Sequence, residues 1–258
     1  GMFAFVIHDV KNHSVLMARD RFGIKPLYYT LQKETCVFGS ELKALLVFPE
    51  VERKIRRESV ATFLANRYVP TPHTIWEGIL QLPPAHFLVL NTDTFASGIE
   101  KYWSLPMDQK EGDRLQIEAE IGKMLQHSVS QHLTSDVQVG SFLSGGMDSS
   151  LLVSMMKDSG CQPIDAFTIG FKNWNQSEHF YARKVAGQLQ IDLHEQLEDS
   201  FTLDSVSRLM YHYDNPIADI SILPTFSVSK LARSKVKAVL SGEGADECFA
   251  GYWWQKPG

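Results

Sequence analysis

The second half of this chain alternates between helical and strand-like segments, and this alternation constrains the fold more than any other feature. Apolar residues at helical spacing over 115–133 precede an apolar run at 137–143, and the two kinds of segment keep alternating up to 236–240. Strands joined by crossover helices pair in parallel and are covered by helices on both faces. The pattern therefore predicts an α/β domain with a doubly wound parallel sheet, whose ligands bind at the carboxyl ends of its strands.

The first half has a different pattern. Short β-like runs lie at 3–9, 15–18, 27–31, 36–39 and 86–90. Apolar residues recur at helical spacing over 40–47 and 58–65. These segments predict an α+β domain over residues 1–105. Pro106, Gly112 and the charged residues between them predict a linker over 106–112, which leaves 113–258 to the α/β domain.

Composition excludes several classes of protein. The formal net charge of −5 and the isoelectric point near 6.0 argue against nucleic acid as a partner. No apolar stretch approaches the ~18–20 residues that a membrane span needs. The three cysteines, Cys36, Cys161 and Cys248, are widely spaced and predict neither a disulfide framework nor a zinc site, which fits a cytoplasmic protein. The chain starts within a strand-like run at 1–8, so we expect a fragment cut at both ends.

A glycine pair follows the strand predicted at 137–143 and precedes a helix. Gly145 and Gly146 allow the backbone to approach an anion closely, and the first amides of the helix point at that anion with the positive end of the helix dipole. Ser144 and Ser149 add hydroxyl donors. Because no lysine follows the glycines, the loop is not the Walker type that serves γ-phosphate transfer.

Acidic residues accompany this loop and a second one. A carboxylate at Asp148 suits Mg²⁺ bound to a polyphosphate, although a helix cap is the simpler alternative. The strand ending at Leu240 also runs into a glycine-rich turn, which carries Glu243 and Asp246. Turns that follow parallel strands share one sheet edge, so Asp148 and Asp246 are predicted to share a metal. A solvated acidic turn is the alternative for the second loop.

These motifs resemble a known family. The run SGGMDS at 144–149 resembles the pyrophosphate loop of the N-type ATP pyrophosphatases. Together with LSGEGADE at 240–247 and FAGY at 249–252, it resembles the synthetase domain of glutamine-hydrolysing asparagine synthetases. Segments of the first half resemble the later part of a class II glutamine amidotransferase domain of the Ntn-hydrolase type, at 18–29, 39–45 and 82–86.

The resemblance implies roles for individual residues. It places ATP against Phe142, Leu143, Ser144, Gly145, Gly146, Asp148, Ser149, Ile169, Ser241 and Gly242. It implies Mg²⁺ near Asp148 and Asp246, and a part for Glu243 in forming an acyl-adenylate. Asp20 matches the residue that binds the α-amino group of glutamine, with a turn residue as the alternative. By composition alone Ile169 would be a core residue.

The chain also departs from the family pattern. The family's nucleophile is an N-terminal cysteine, which has no counterpart here, and Cys36 is predicted to pack inside the fold. The family's later segment, with aspartate-recognition residues and a catalytic lysine, is absent after Gly258. Phe142 stands where a smaller aliphatic residue is common in the family.

For the intact parent, the resemblance implies conversion of aspartate to asparagine through a β-aspartyl-AMP intermediate. The implied substrates are L-aspartate, ATP, and L-glutamine or ammonia, with Mg²⁺ as cofactor and a homodimer as an open option. Two alternatives remain. The first is a β-lactam synthetase-like or other amide-forming adenylating amidotransferase, and the second is a catalytically incomplete nucleotide-binding fragment.

Overall fold

The computed structural model describes residues 1–32, 34–107, 112–172, 177–199 and 202–255, without the side chain of Trp253. The chain divides into two compact units, one of residues 1–109 with 207–219 and the other of residues 110–206 with 220–258. None of the described helices combines the length and the apolar character that crossing a membrane requires.

In chain order, the elements before the boundary at 109 are β1 (Ala4–Asp9), β2 (Ser14–Arg19), β3 (Tyr28–Gln32), β4 (Thr35–Gly39), α1 (Leu42–Leu45), α2 (Arg57–Asn66), β5 (Leu80–Gln81), β6 (His86–Asn91) and β7 (Ser97–Lys101). Beyond it come α3 (Arg114–His132), β8 (Val139–Phe142), α4 (Met147–Asp158), β9 (Asp165–Phe171), α5 (His179–Leu189), β10 (Asp192–Glu198), α6 (Leu203–Tyr213), α7 (Ile222–Arg233), β11 (Ala238–Leu240), α8 (Ala245–Phe249) and a 3₁₀ turn, Trp253–Gln255.

The first unit holds two antiparallel sheets, ordered β1-β2-β6-β7 and β4-β3-β5. Met17, Leu88 and Leu90 on the paired strands β2 and β6 are buried in one core cluster. The mixture of antiparallel strands and helices confirms the α+β prediction for this half of the chain. The sequence did not predict β5 or β7. Every residue of β7 is exposed, so it lacks the alternation of apolar and polar residues that marks a half-buried strand.

The second unit contains a four-stranded parallel sheet in the order β10-β9-β8-β11, which confirms the predicted parallel α/β architecture. Ala166 and Phe167 are neighbours on β9 and belong to different buried clusters. Because neighbouring strand residues point to opposite faces, helices pack on both faces of the sheet. Ala182 on α5 packs in the first cluster and Ala232 on α7 in the second, so the sheet is doubly wound.

Residues 207–219 group with the first unit, although the sequence placed them in the second domain. Within the first unit, Asn215 Oδ1 accepts a hydrogen bond of 2.9 Å from the amide of Ile75. The amide of Ala218 donates to the Arg67 carbonyl at 2.8 Å. Helical periodicity predicts a helix but not the surface against which it packs. The sequence pattern therefore could not show that residues 207–219 belong to the first unit. The functional domain boundaries remain predictions, and residues 108–111 of the predicted linker lie outside the described residues.

Candidate functional site

The strand order of the second unit reverses at β8. The chain passes from β8 to β9 and then β10 on one side, and returns to β11 on the other side of β8. In such sheets a crevice forms outside the carboxyl ends of the strands at the reversal, and ligands bind there. The loops after β8 and β11 border this crevice and adjoin each other, because a Cβ on Gly242 would lie 3.3 Å from Cβ of Asp148.

The loop after β8 needs glycine for two reasons. Gly145 has φ +87°, a left-handed conformation that residues with a Cβ rarely adopt. A Cβ at Gly145 would also lie 2.4 Å from the amide nitrogen of Ala182 on α5. The N-cap of α4 is Gly146, which offers no side-chain cap, and Asp148 lies inside the first turn. The alternative that Asp148 caps this helix is therefore wrong, and the first amides of α4 are left for another acceptor.

The serine hydroxyls of this loop form a small network. Ser144 Oγ lies 3.1 Å from Ser149 Oγ and accepts a hydrogen bond of 3.2 Å from the amide of Gly146. Ser149 and Ser150 both donate to the Gly146 carbonyl, at 3.3 Å and 2.6 Å. Ser144 is exposed while Ser149 is half-buried, so the loop offers both hydroxyls beside the amides of α4. Amides and hydroxyls at one helix N-terminus are the donor set that an anionic phosphate group requires.

The loop after β11 forms one wall of a cavity of about 630 Å³. Gly244 has φ +90°, which lets the chain turn sharply into α8. Ser241, Gly242 and Glu243 line this cavity together with Asp148, and its remaining walls are mainly apolar side chains of α3 and α4. Glu243 is exposed and reaches the same space as Asp148.

The acidic residues of the second loop do not gather into one cluster. The Asp246 carboxylate lies against Gly251, since a Cβ at position 251 would stand 1.8 Å from its Oδ1 atom. Glu247 Oε1 accepts a hydrogen bond of 2.5 Å from the Tyr252 hydroxyl. In the described part of the chain, no group of three or more histidine, cysteine, aspartate or glutamate side chains could hold a metal ion. A metal shared by Asp148 and Asp246 thus remains a prediction, and phosphate oxygens would have to complete its ligands.

A second cavity, of about 360 Å³, lies on the β9 side of β8. Phe142, Leu143, Ser144 and Ile169 line it, so these four predicted nucleotide residues do come together. Ile169 is half-buried at this wall and is not a core residue. The predicted residues therefore fall on two cavities, and the loop from Ser144 to Asp148 contributes to both.

Comparison with protein families agrees with this arrangement. The family described as asparagine synthase matches residues 120–258, which include the reversal point and both loops. The chain belongs to the asparagine synthase family. A second family, described as a glutamine amidotransferase domain, matches residues 1–103.

Two relatives from this family are each about one-third identical to the chain. Identity is 34% over 253 residues with asparagine synthetase [glutamine-hydrolyzing] 1 of Bacillus subtilis, covering 98% of this chain and 40% of that protein. It is 34% over 257 residues with putative asparagine synthetase [glutamine-hydrolyzing] 2 of Methanocaldococcus jannaschii, covering 98% and 50%. The chain thus spans half or less of the length of these relatives.

Asp20 lies in the part of the chain that matches the glutamine amidotransferase family, where it organises a loop. Its side chain is buried, with Oδ1 accepting from the amides of Phe22 at 3.1 Å and Ile24 at 3.0 Å. Oδ2 accepts from the amides of Lys25 at 2.9 Å and Phe3 at 3.3 Å. Burial acts to raise the pKa of Asp20, but the four amide donors outweigh it and lower the pKa. Asp20 is therefore a turn-organising residue, and its binding of glutamine remains a prediction.

Cys36 behaves as a packing residue, as predicted. It lies half-buried on β4 against the core of the first unit, and burial raises the pKa of its thiol, which disfavours the reactive thiolate.

Several wall residues of the 360 Å³ cavity were not predicted. Ser177 and Glu178, just before α5, line it together with Thr225 and Val228 of α7. Ser177 and Glu178 resemble ordinary helix-start residues in the sequence. Thr225 and Val228 lie within a helix of ordinary composition, so we find no sequence signal that would have marked them.

Proposed function

We propose that the complete gene product containing this chain is a glutamine-dependent asparagine synthetase, and that residues 113–258 bind and cleave ATP. One observation carries the proposal. Gly242 meets Asp148 at the reversal point of a parallel sheet, which joins the glycine loop and the acidic loop into one site. The family membership supports the same reaction, because the family match covers both loops.

We assign the proposed nucleotide to the two cavities. The adenine would occupy the 360 Å³ cavity against Phe142, Leu143 and Ile169. The polyphosphate would then run over Gly145 and Gly146 toward the 630 Å³ cavity. Gly145 and Gly146 lack side chains that would block it, and the first-turn amides of α4 have no capping side chain to compete with it.

Mg²⁺ would be held by Asp148 on the cavity wall and, after a rotation of its side chain away from Gly251, by Asp246. When bound, the ion neutralises charge on the phosphate oxygens. Two carboxylates plus phosphate oxygens are an ordinary ligand set for this cation.

The proposed chemistry has two steps. An oxygen of the aspartate β-carboxylate attacks the α-phosphorus of ATP, and the bond to the departing pyrophosphate breaks. Ammonia then attacks the acyl carbon and AMP leaves. The chain's own contribution to the first step is a set of fixed donors, the α4 amides and the hydroxyls of Ser144 and Ser149, which stabilise the negative charge on pyrophosphate. Glu243, which lines the same cavity as Asp148, is proposed to act in forming the acyl-adenylate.

Residues 1–103 would belong to the domain that releases ammonia from glutamine, and this rests on their match to the amidotransferase family. We include in the proposal an Ntn-hydrolase type of fold for that domain and binding of glutamine at Asp20. A cytoplasmic location and a homodimer complete it.

The test is exchange of labelled pyrophosphate into ATP by the complete gene product. We expect exchange that requires L-aspartate, and we expect Asp148→Ala to lower it by about a hundredfold or more. Asp158→Ala is the matched control, because Asp158 lies at the far end of the same helix and should leave exchange unchanged.

Each other outcome argues against the proposal. Exchange that requires a carboxylic acid other than aspartate would favour a β-lactam synthetase-like acceptor, and nucleotide binding without exchange in the presence of either acid would favour a catalytically incomplete binding module. An Asp148→Ala protein with unchanged exchange would remove the glycine loop from the mechanism.

A further inference from the structure

Four polar side chains in the second unit form a connected network that starts at the wall of the 360 Å³ cavity. Ser177, which lines this cavity, places its Oγ atom 2.7 Å from Nδ1 of His179. His179 Nε2 lies 3.6 Å from Oε1 of Glu195 on β10. Arg183 then holds the Glu195 carboxylate with two hydrogen bonds, of 2.7 Å and 2.9 Å. The four side chains connect the segment before α5, the first turns of α5, and β10.

Two kinds of contact hold the His179 ring. Nδ1 and the Ser177 hydroxyl share a hydrogen bond, whose donor depends on the tautomer of the ring. Nε2 lies within ion-pair range of the Glu195 carboxylate and beyond hydrogen-bond range. Ser177 Oγ in turn accepts a hydrogen bond of 3.0 Å from the amide of Phe171 at the end of β9.

The fold leaves a specific space for the imidazole. His179 is 4% exposed and Ser177 is 2% exposed, so both polar groups depend on these protein partners. Gly170 on β9 provides the room, because a Cβ there would lie 2.5 Å from His179 Nδ1. The ring therefore rests directly on the strand that carries the cavity residue Ile169.

The position of α5 matters to the nucleotide site in two ways. Ser177 and Glu178, immediately before the helix, form part of the adenine cavity wall. Gly145 of the glycine loop rests on the backbone of Tyr181 and Ala182 in the first turn of α5. A shift of this first turn would displace the cavity wall and the glycine loop together.

We infer that His179 is a positioning residue for nucleotide binding, which holds the start of α5 in register with β9 and β10 through Ser177 and Glu195. This inference rests on the proposal that ATP binds at the reversal point. It assigns His179 no contact with the nucleotide. The effect of losing it should appear in the affinity for nucleotide more than in the chemical step.

A second histidine provides a matched control. His194 Nε2 lies 2.5 Å from Oδ1 of Asp165. His194 directly precedes Glu195 on β10, so its side chain points to the opposite face of the sheet. The His194 ring stacks on Phe167 with a centroid distance of 5.1 Å. Phe167 also lines the 360 Å³ cavity, so the loss of His194 perturbs the sheet and one cavity wall but leaves the start of α5 and the glycine loop in place. A merely structural role for His179 would make the two histidines equivalent in their effect on nucleotide affinity.

The experiment compares His179→Ala, His179→Asn and His194→Ala by calorimetry with Mg²⁺–ATP and by thermal melting of each protein. We expect His179→Ala to raise the Kd for ATP about tenfold, a typical size for energetic coupling between groups. His179→Asn keeps a polar atom at the Nδ1 position facing Ser177 and should recover most of that loss. His194→Ala should lower the melting temperature while it leaves the Kd within about twofold of the wild type.

The outcomes separate the two proposals. A wild-type protein that does not bind Mg²⁺–ATP would overturn the proposed function itself. Wild-type binding with an unchanged Kd in both His179 variants would overturn only the positioning role, as would equal losses of affinity in His179→Ala and His194→Ala. If His179→Ala does not fold, His179→Gln carries the test, because its amide lies near the Nε2 position and leaves Ser177 without the Nδ1 partner. We expect His179→Gln to raise the Kd for ATP, and an unchanged Kd in a folded His179→Gln protein would overturn the inference.

Discussion

Gly145 of the glycine loop lies so close to Ala182 of α5 that a Cβ at position 145 would stand 2.4 Å from the Ala182 amide nitrogen. The loop and the helix therefore touch backbone to backbone, with no side chain between them. The contact explains why glycine is needed at 145 even apart from its left-handed φ. It also makes the shape of the proposed phosphate site depend on α5, an element that follows the loop by more than 30 residues.

This contact predicts unequal effects at the two glycines. Gly145→Ala adds backbone strain and a clash with a backbone atom, so we expect the free energy of unfolding to fall by about 3 kcal/mol. Gly146 has φ −68°, and a Cβ there would meet only the hydroxyl of Ser144, at 3.3 Å. Gly146→Ala should therefore cost less than about 1 kcal/mol. Urea denaturation of both variants measures the difference, and equal losses would contradict the geometry.

Asp20 predicts a dependence of stability on pH. The pKa of this carboxyl is lowered in the folded state. Its contribution to stability is therefore complete above the ordinary aspartate pKa of ~3.9 and is lost as the pH falls through the lower folded value. Asp20→Asn turns an amide toward backbone donors and should cost about 2 kcal/mol at pH 7. The difference in the free energy of unfolding between the wild type and this variant should be smaller at pH 3 than at pH 7. Denaturation curves at the two pH values provide the measurement.

Asp9 supplies the control for that experiment. It also accepts hydrogen bonds from backbone amides, at 3.0 Å from both Lys11 and Asn12, but at an exposed turn. Asp9→Asn should leave the unfolding midpoint nearly unchanged. If the difference in the free energy of unfolding between the wild type and Asp20→Asn stayed constant between pH 7 and pH 3, the ionised form of Asp20 would not be what the loop binds.

The segment 207–219 is held in the first unit by a shielded ion pair. Lys43 Nζ lies 3.0 Å from Oδ1 of Asp214, whose side chain is 8% exposed. Lys43→Met would leave this carboxylate without its cation, and we expect a loss of about 2–3 kcal/mol in the free energy of unfolding. Amide hydrogen exchange should also quicken at Ile75, which donates to Asn215.

An exposed pair in the same unit is the comparison for Lys43. Lys54 Nζ and Glu77 Oε2 are slightly closer, at 2.8 Å, but both side chains are more than half exposed. Lys54→Met should have little effect on stability or on exchange at Ile75, because water screens such pairs. If Lys43→Met proved as mild as Lys54→Met, the ion pair would not be what anchors the segment.

Tyr252 and Glu247 form a coupled pair after the acidic loop. The hydrogen bond to the Glu247 carboxylate raises the pKa of Tyr252 to about 12. The stabilisation that this bond contributes is present below the ordinary phenol pKa and is lost as the pH rises toward about 12. Glu247→Gln should return the Tyr252 pKa toward its ordinary range, whereas Asp246→Asn should lower it only slightly. An NMR titration of labelled tyrosine rings distinguishes the two, and identical shifts would contradict the assignment.

The glycine loop could be predicted because its signals are local. An apolar strand, the pair Gly145-Gly146 and the apolar spacing of α4 lie within about one β–α unit, and each depends only on backbone preference and periodicity. The same holds for the alternation that indicated a parallel sheet. Asp148 lies in the first turn of α4, directly after this loop, and only the structure excludes a capping role for it, since helix boundaries shift by a residue or two.

What the sequence determined by itself was the kind of most elements, with β5 and β7 as exceptions, and the residues of the two loops, because backbone preference and apolar spacing are properties of neighbouring residues. Only the tertiary structure decided that β8 lies between β9 and β11, that Asp246 turns toward Gly251, that residues 207–219 pack with the first unit, and that His179 lies behind the cavity wall at Ser177. These relationships join residues far apart in the chain or depend on side-chain direction. They follow from which surfaces pack together with the most burial and the fewest unpaired polar groups, and a local pattern does not contain that information.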